Sequence, residues 1–127
     1  MDRPGTFTRA ELIELSGLSA PTIGDVAAHL IRKGVVKDLG TGPSSGGRRP
    51  SLMEFNARHA YTAVMDIGPT RTRLAVADLR GETIQHEIVD TPKGVGPQEG
   101  LSHLAADLLA LLERTRIPRG RLLAVAA

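Results

Sequence analysis

Gly17 cuts a helical pattern short, and that interruption governs what the first half of this chain can become. Residues 8 to 16, TRAELIELS, read as a helix. Thr8 and Glu11 have the spacing of a capping box, in which each side chain satisfies the other's free backbone N–H. Leu12 and Leu15 fall on one face. Gly17 accepts a left-handed conformation at little cost and ends the helix. A second helix begins almost at once in LSAPTIGDVAAHLIRKG. Ser19 is a good N-cap, and Pro21 sits in the first turn, where its missing N–H does no harm. Ile23, Val26, Ala27, Leu30 and Ile31 repeat at i, i+3, i+4, i+7 and i+8, which predicts burial along one side. Arg32 and Lys33 oppose the negative end of the dipole, and Gly34 stops the helix. Two short helices joined by a tight glycine turn make a helix-turn-helix candidate.

The next residues extend that pattern. VVKDLG predicts a strand, TGPSSGG a turn and RRPSLMEFN a returning strand, so a hairpin with a Gly/Ser tip follows the helices as a wing. In such a unit the second helix enters the major groove and offers residues near its N-terminus to base edges. Here these are Ser19, Ala20, Thr22, Gly24 and Asp25. Ser19 and Thr22 can bond phosphates or bases, and Ala20 and Gly24 allow close backbone approach. Asp25 repels phosphate unless it accepts from a cytosine amino group. Arg48 and Arg49 suit a wing reaching phosphates or the minor groove. The alternative is a helical hairpin packed on another element, with its arginines on a solvated loop.

From residue 61 the pattern changes. YTAVMDIG, RTRLAVADL and ETIQHEIVD predict three strands, the last two joined at Arg80-Gly81. A Pro/Gly-rich loop leads to a helix over 98–114 with Leu101, Leu104, Ala105, Leu108, Leu111 and Leu112 on one stripe. RLLAVAA then begins a buried strand, giving the order β-β-β-α-β. The turn in MDIGPTRTR can be read two ways. Thr70 and turn N–H groups could hold a phosphate while Asp66 orients a hydrated magnesium, or the segment is a plain hairpin. Pro69 favours the hairpin, because it has no N–H to give and stiffens the turn.

Composition narrows the function. Aromatics are 2%, too few for a base-stacking surface on single-stranded nucleic acid. Net charge is +2, with the basic excess in residues 1–60. Cysteine is absent, which removes disulfides, thiolate metal sites and cysteine nucleophiles. His29, His59, His86 and His103 are scattered without ligand spacing, and VDTPKGVG lacks the glycine pattern of a phosphate loop. No catalytic residue, metal or cofactor is expected. The N-terminus has no signal-peptide core and no apolar run is long enough to span a bilayer, so a cytoplasmic location without membrane association is expected.

With these segments in view, the chain resembles the ROK-family transcriptional regulators (repressor, open reading frame, kinase). TRAELIELSGLSAPTIGDVAAHLIRKGVVKDLG looks like that family's winged helix-turn-helix, and SSGGRRPSLMEFN, with its GGRRP run, is similar to the wing and return strand. AVMDIGPTRTRLAVADLRGETI resembles the opening of the sugar-kinase-like domain. The resemblance implies an α+β chain in two parts. Residues 1–58 would be the winged domain, its first helix missing or reduced to MDRPGTF. Residues 59–127 would be the start of an actin/hexokinase-like (ribonuclease H-like) domain.

It further implies a regulator, usually a repressor, of sugar uptake or catabolism genes, binding a palindromic double-stranded operator as a homo-oligomer. Kinase relatives hold ATP with Asp-x-Gly-Gly-Thr; this chain matches at Asp66, Gly68 and Thr70 and departs at Pro69, so the turn is expected to be vestigial. The recognition helix also departs, with Ala20, Gly24 and Asp25 where the family often has basic or hydroxylic residues. The sugar-binding loops, catalytic aspartate and zinc motif of the family have no counterpart here. An N-terminal piece without its sugar effector site is therefore expected. The alternatives are a sugar-kinase fragment, or an interaction module that associates with a full-length paralogue.

Overall fold

Each short helix is held by its own ends, because neither is long enough to persist alone. The computed structural model describes residues 5–41, 46–47 and 50–126. Helix α1 (Arg9–Ser16) carries the expected capping box: Glu11 N–H donates to Thr8 Oγ1 (3.2 Å) and Thr8 N–H to Glu11 Oε2 (2.6 Å). Gly17 terminates it at φ 69°, donating to the Ile13 carbonyl. Helix α2 (Ala20–Arg32) starts at Ser19, whose hydroxyl accepts from Thr22 N–H. It ends in a paired closure, Gly34 N–H to Ile31 C=O and Val35 N–H to Leu30 C=O, with Gly34 at φ 76°.

The chain divides into two compact units, residues 1–56 and 57–127. In the first, α1 and α2 pack with a three-stranded antiparallel sheet ordered β1-β3-β2: β1 (Thr6–Thr8), β2 (Val36–Thr41) and β3 (Ser51–Phe55). Met53, fully buried on the central strand, meets Ala27 and Val36 in a core edged by Phe7, Leu12, Leu30 and Ile31. Asn56 ties the sheet to the end of α2, its Nδ2 donating to the Gly34 carbonyl and its N–H to that of Val35.

The second unit is a four-stranded sheet ordered β6-β5-β4-β7, with α3 (Pro97–Thr115) on one face. Strands β4 (Tyr61–Ile67), β5 (Arg71–Asp78) and β6 (Thr83–Asp90) run antiparallel, and β7 (Leu122–Ala126) pairs parallel to β4. Tyr61, Ala63, Met65, Leu74 and Val76 alternate onto the face where α3 places Leu104, Leu108, Leu111 and Leu112. Asp78 closes the β5–β6 turn, its carboxylate accepting from the N–H groups of Arg80 and Glu82.

Three stripe residues and one element differ from expectation. Leu15 (84% exposed), Val26 (47%) and Leu101 (49%) lie outside the cores. Val26 sits at the lateral margin of its apolar stripe, and Leu101 in the first turns of α3, ahead of the buried leucines. Thr6 and Phe7, expected within a missing or reduced first helix, instead join the capping Thr8 in an edge strand that pairs with Leu52–Glu54.

The two cores give a direct test. Met53→Ala and Leu111→Ala should each cost about 2–5 kcal/mol by cavity formation. In amide hydrogen exchange, the first should lower protection in β2 and β3 and the second in β4 and β5. Protection left intact in both units would contradict this packing.

Candidate functional site

Burial decides which side of α2 can meet a partner. Ile23 and Ala27 face the core, while Ser19, Ala20, Thr22, Asp25, Val26 and His29 are exposed. Four of the five positions expected on the reading face are thus accessible. The fifth, Gly24, is half-buried, yet a Cβ built there would meet nothing within 4 Å. Ser19 and Thr22 are joined by a hydroxyl–hydroxyl hydrogen bond of 2.8 Å. Thr22, Asp25, Val26 and His29 fall at i, i+3, i+4 and i+7, one continuous outward stripe.

The two helix starts differ electrostatically. At α1 the Glu11 carboxylate already accepts from the N-cap N–H and hydroxyl of Thr8. The first turn of α2 has no acidic residue, so its positive end is not neutralised from within. Of the two, α2 is the better suited to approach a polyanion, with Asp25 a turn further on as its one local anion. Arg48 and Arg49 lie outside the described residues. The neighbouring Gly46 and Gly47 have φ of 80° and 141°, a backbone that L side chains rarely adopt.

In the second unit Asp66, Gly68 and Thr70 do come together. With Arg71, Arg73 and Ile88 they line a cleft of about 250 Å³, smaller than the roughly 300–1,000 Å³ of most small-molecule sites. Asp66 lies 3.3 Å from the Arg73 guanidinium in an exposed pair, so its carboxylate already has a cationic partner. The turn is also fastened internally. Gly68 N–H donates to the Arg71 carbonyl, and a Cβ on Gly68 would lie 2.7 Å from that same oxygen. Thr91 Oγ1 donates to the Gly68 carbonyl (2.8 Å), which uses its one proton. The 2.9 Å contact between Thr72 and Thr91 is then donated by the fully buried Thr72. Among the described residues no three His, Asp or Glu side chains gather as a metal site, and no helix is long and apolar enough to cross a membrane.

Val26 on the outward stripe, and Thr72 and Thr91 behind the turn, were not singled out for these places in the sequence. A signal existed for Val26, four residues after Thr22 on the same helix. The threonines gave none, because their contact joins distant segments.

Comparison with known proteins follows the same lines. No family model matches the chain. A xylose repressor of Bacillus spizizenii is 34% identical over 87 residues, covering 67% of this chain and 23% of that protein. The DNA-binding transcriptional dual regulator NagC of Escherichia coli is 23% identical over 110 residues, covering 87% of this chain and 27% of its own length. The crystal structure of a ROK family transcriptional regulator, homolog of the E. coli MLC protein, superposes with a TM-score of 0.63 at 17% identity, over 94% of this chain and 29% of that one. The chain spans about a quarter of the length of these proteins. The resemblance to ROK-family repressors is borne out, and so is a mixed α+β fold of that kind.

The hydroxyl relay behind the turn predicts an asymmetry between two like-sized substitutions. Thr91→Val strands both the Gly68 carbonyl and the buried Thr72 hydroxyl, and should cost about 1–3 kcal/mol in urea denaturation of the full chain. Thr72→Val leaves the Thr91–Gly68 bond in place and should cost less than about 1 kcal/mol. Equal costs would mean that the relay does not hold the turn.

Proposed function

We propose that this relative of the ROK-family repressors is a DNA-binding transcriptional regulator of sugar uptake or catabolism genes, acting in the cytoplasm as a repressor and not as an enzyme. The carrying observation is the outward stripe of α2, turned away from the core by Ile23 and Ala27 and followed by a hairpin. In this reading residues 1–58 are a winged helix-turn-helix. Ser19, Ala20, Thr22, Gly24 and Asp25 lie in the major groove, and Arg48 and Arg49 rest on flanking phosphates. Residues 59–127 are the opening of an actin/hexokinase-like domain, consistent with its β-β-β-α-β order and the parallel β4–β7 pair. The partner is a palindromic double-stranded operator, bound by a homo-oligomer when the chain is part of an intact regulator.

A kinase role is disfavoured on physical grounds. Pro69 removes an N–H from the turn, Gly68 spends its own on Arg71, and Asp66 faces Arg73. Asp66, Gly68 and Thr70 then serve as a structural corner of the sheet, with no nucleotide held there.

The test is fluorescence anisotropy of the full chain on duplex DNA from upstream of its own gene, as salt is raised. Affinity should fall as salt rises. Arg48→Ala and Arg49→Ala should weaken binding on every sequence, each reducing the salt slope by about one unit per lost phosphate contact. A chain with no salt-sensitive affinity for DNA would sink this reading, and co-purification with a longer paralogue would favour an interaction module instead.

A further inference from the structure

Between Ser19 and Ile31 the chain has no Arg, Lys, Asn or Gln. Those are the side chains that read guanine or adenine through paired hydrogen bonds in the major groove. A helix lacking them reads bases by single contacts: a hydroxyl, a carboxylate on a cytosine amino group, or an apolar group on the thymine methyl. On the outward stripe of α2 the apolar group is Val26, 47% exposed where Ile23 and Ala27 on the same helix are 5% and 3%. Thr22, Asp25, Val26 and His29 have the i, i+3, i+4, i+7 spacing with which a groove-bound helix meets successive base pairs.

We propose that Val26 is a specificity-determining residue that packs its isopropyl group against the C5 methyl of a thymine in the operator half-site. The inference rests on the DNA-binding reading above and adds the base class that α2 selects. Val26 suits the task because a β-branched side chain in a helix has one strongly preferred rotamer, so contact orders little that is not already ordered. Its neighbours narrow the choice further. Asp25 repels guanine O6 and N7, which are acceptors, and Thr22 contributes a hydroxyl and a second methyl. A half-site rich in thymine and cytosine on the contacted strand fits this stripe, and one built on guanine contacts does not.

The experiment begins with the full chain and a random duplex library, from which the tightest-binding site is selected. Each thymine of that site is then replaced singly by deoxyuridine, which removes the methyl and nothing else. At one thymine per half-site, wild-type affinity should fall about fourfold, the worth of one buried methyl. Val26→Ala should bind the thymine site more weakly and show no further loss on the uridine site. Alanine at an exposed helical position favours the fold, so the helix is kept, and far-UV circular dichroism checks it. If Val26→Ala and the uridine replacement lower affinity additively, Val26 does not touch the methyl and the inference is overturned. Selection of sites with an invariant guanine and no methyl-sensitive thymine overturns it as well. If no duplex is bound with salt-sensitive affinity, it is the DNA-binding reading itself that fails.

Discussion

The one-sided burial of α2 is the constraint on which the first unit depends. Ile23 and Ala27 are drawn into a core whose centre is Met53 on the middle strand, and this fixes the rotation of the helix about its axis. Once that rotation is set, Thr22, Asp25, Val26 and His29 have no choice but to face outward. The caps at both ends matter for the same reason. Ser19 and the Gly34 closure fix where the helix starts and stops, so the stripe has a defined length as well as a direction. A helix free to roll by one residue, about 100°, would present a different set of side chains.

Features set by local chemistry were legible in the sequence, and features set by distant partners were not. The capping box at Thr8, the turn at Gly17 and the stop at Gly34 each depend on a few adjacent residues. Glycine is needed at Gly17 and Gly34 because both are left-handed. Depth of burial is another matter. Periodicity placed Leu15, Val26 and Leu101 on apolar stripes, but whether a stripe residue is covered depends on how far the opposing surface extends across and along the helix. The three residues of β1, Thr-Phe-Thr, are too few for their alternation to stand out; they become a strand by pairing with the edge of β3. On the outward stripe of α2, the same periodicity that misplaced Val26 in the core puts it four residues from Thr22.

The phosphate-like turn shows how a motif can persist as structure. Asp66, Gly68 and Thr70 have the spacing of a nucleotide cradle and are gathered in one cleft. Yet the backbone groups of Gly68 are engaged within the fold. Gly68 donates to Arg71 and accepts from Thr91, and Thr91 in turn is held by Thr72. Glycine is still required at 68, because the Arg71 carbonyl would lie 2.7 Å from any Cβ there. A glycine in this setting is explained by the tightness of a hairpin and does not by itself call for a ligand.

Charge sets a limit on how such a chain can hold DNA. A net charge of +2 gives little long-range attraction to a duplex, and in the proposed docking Asp25 adds local repulsion near the groove. Arg32 and Lys33 stand at the C-terminal end of α2, away from Ser19 and Thr22. Sequence-independent affinity, which comes from neutralising phosphates, is therefore weak for a single copy. Two copies on a palindromic site raise the effective concentration of the second head without any new contact, provided that they are joined. Modest charge thus works in favour of discrimination. With little non-specific binding to compete, the single contacts proposed for Thr22 and Val26 would make up a larger share of the difference between right and wrong sites.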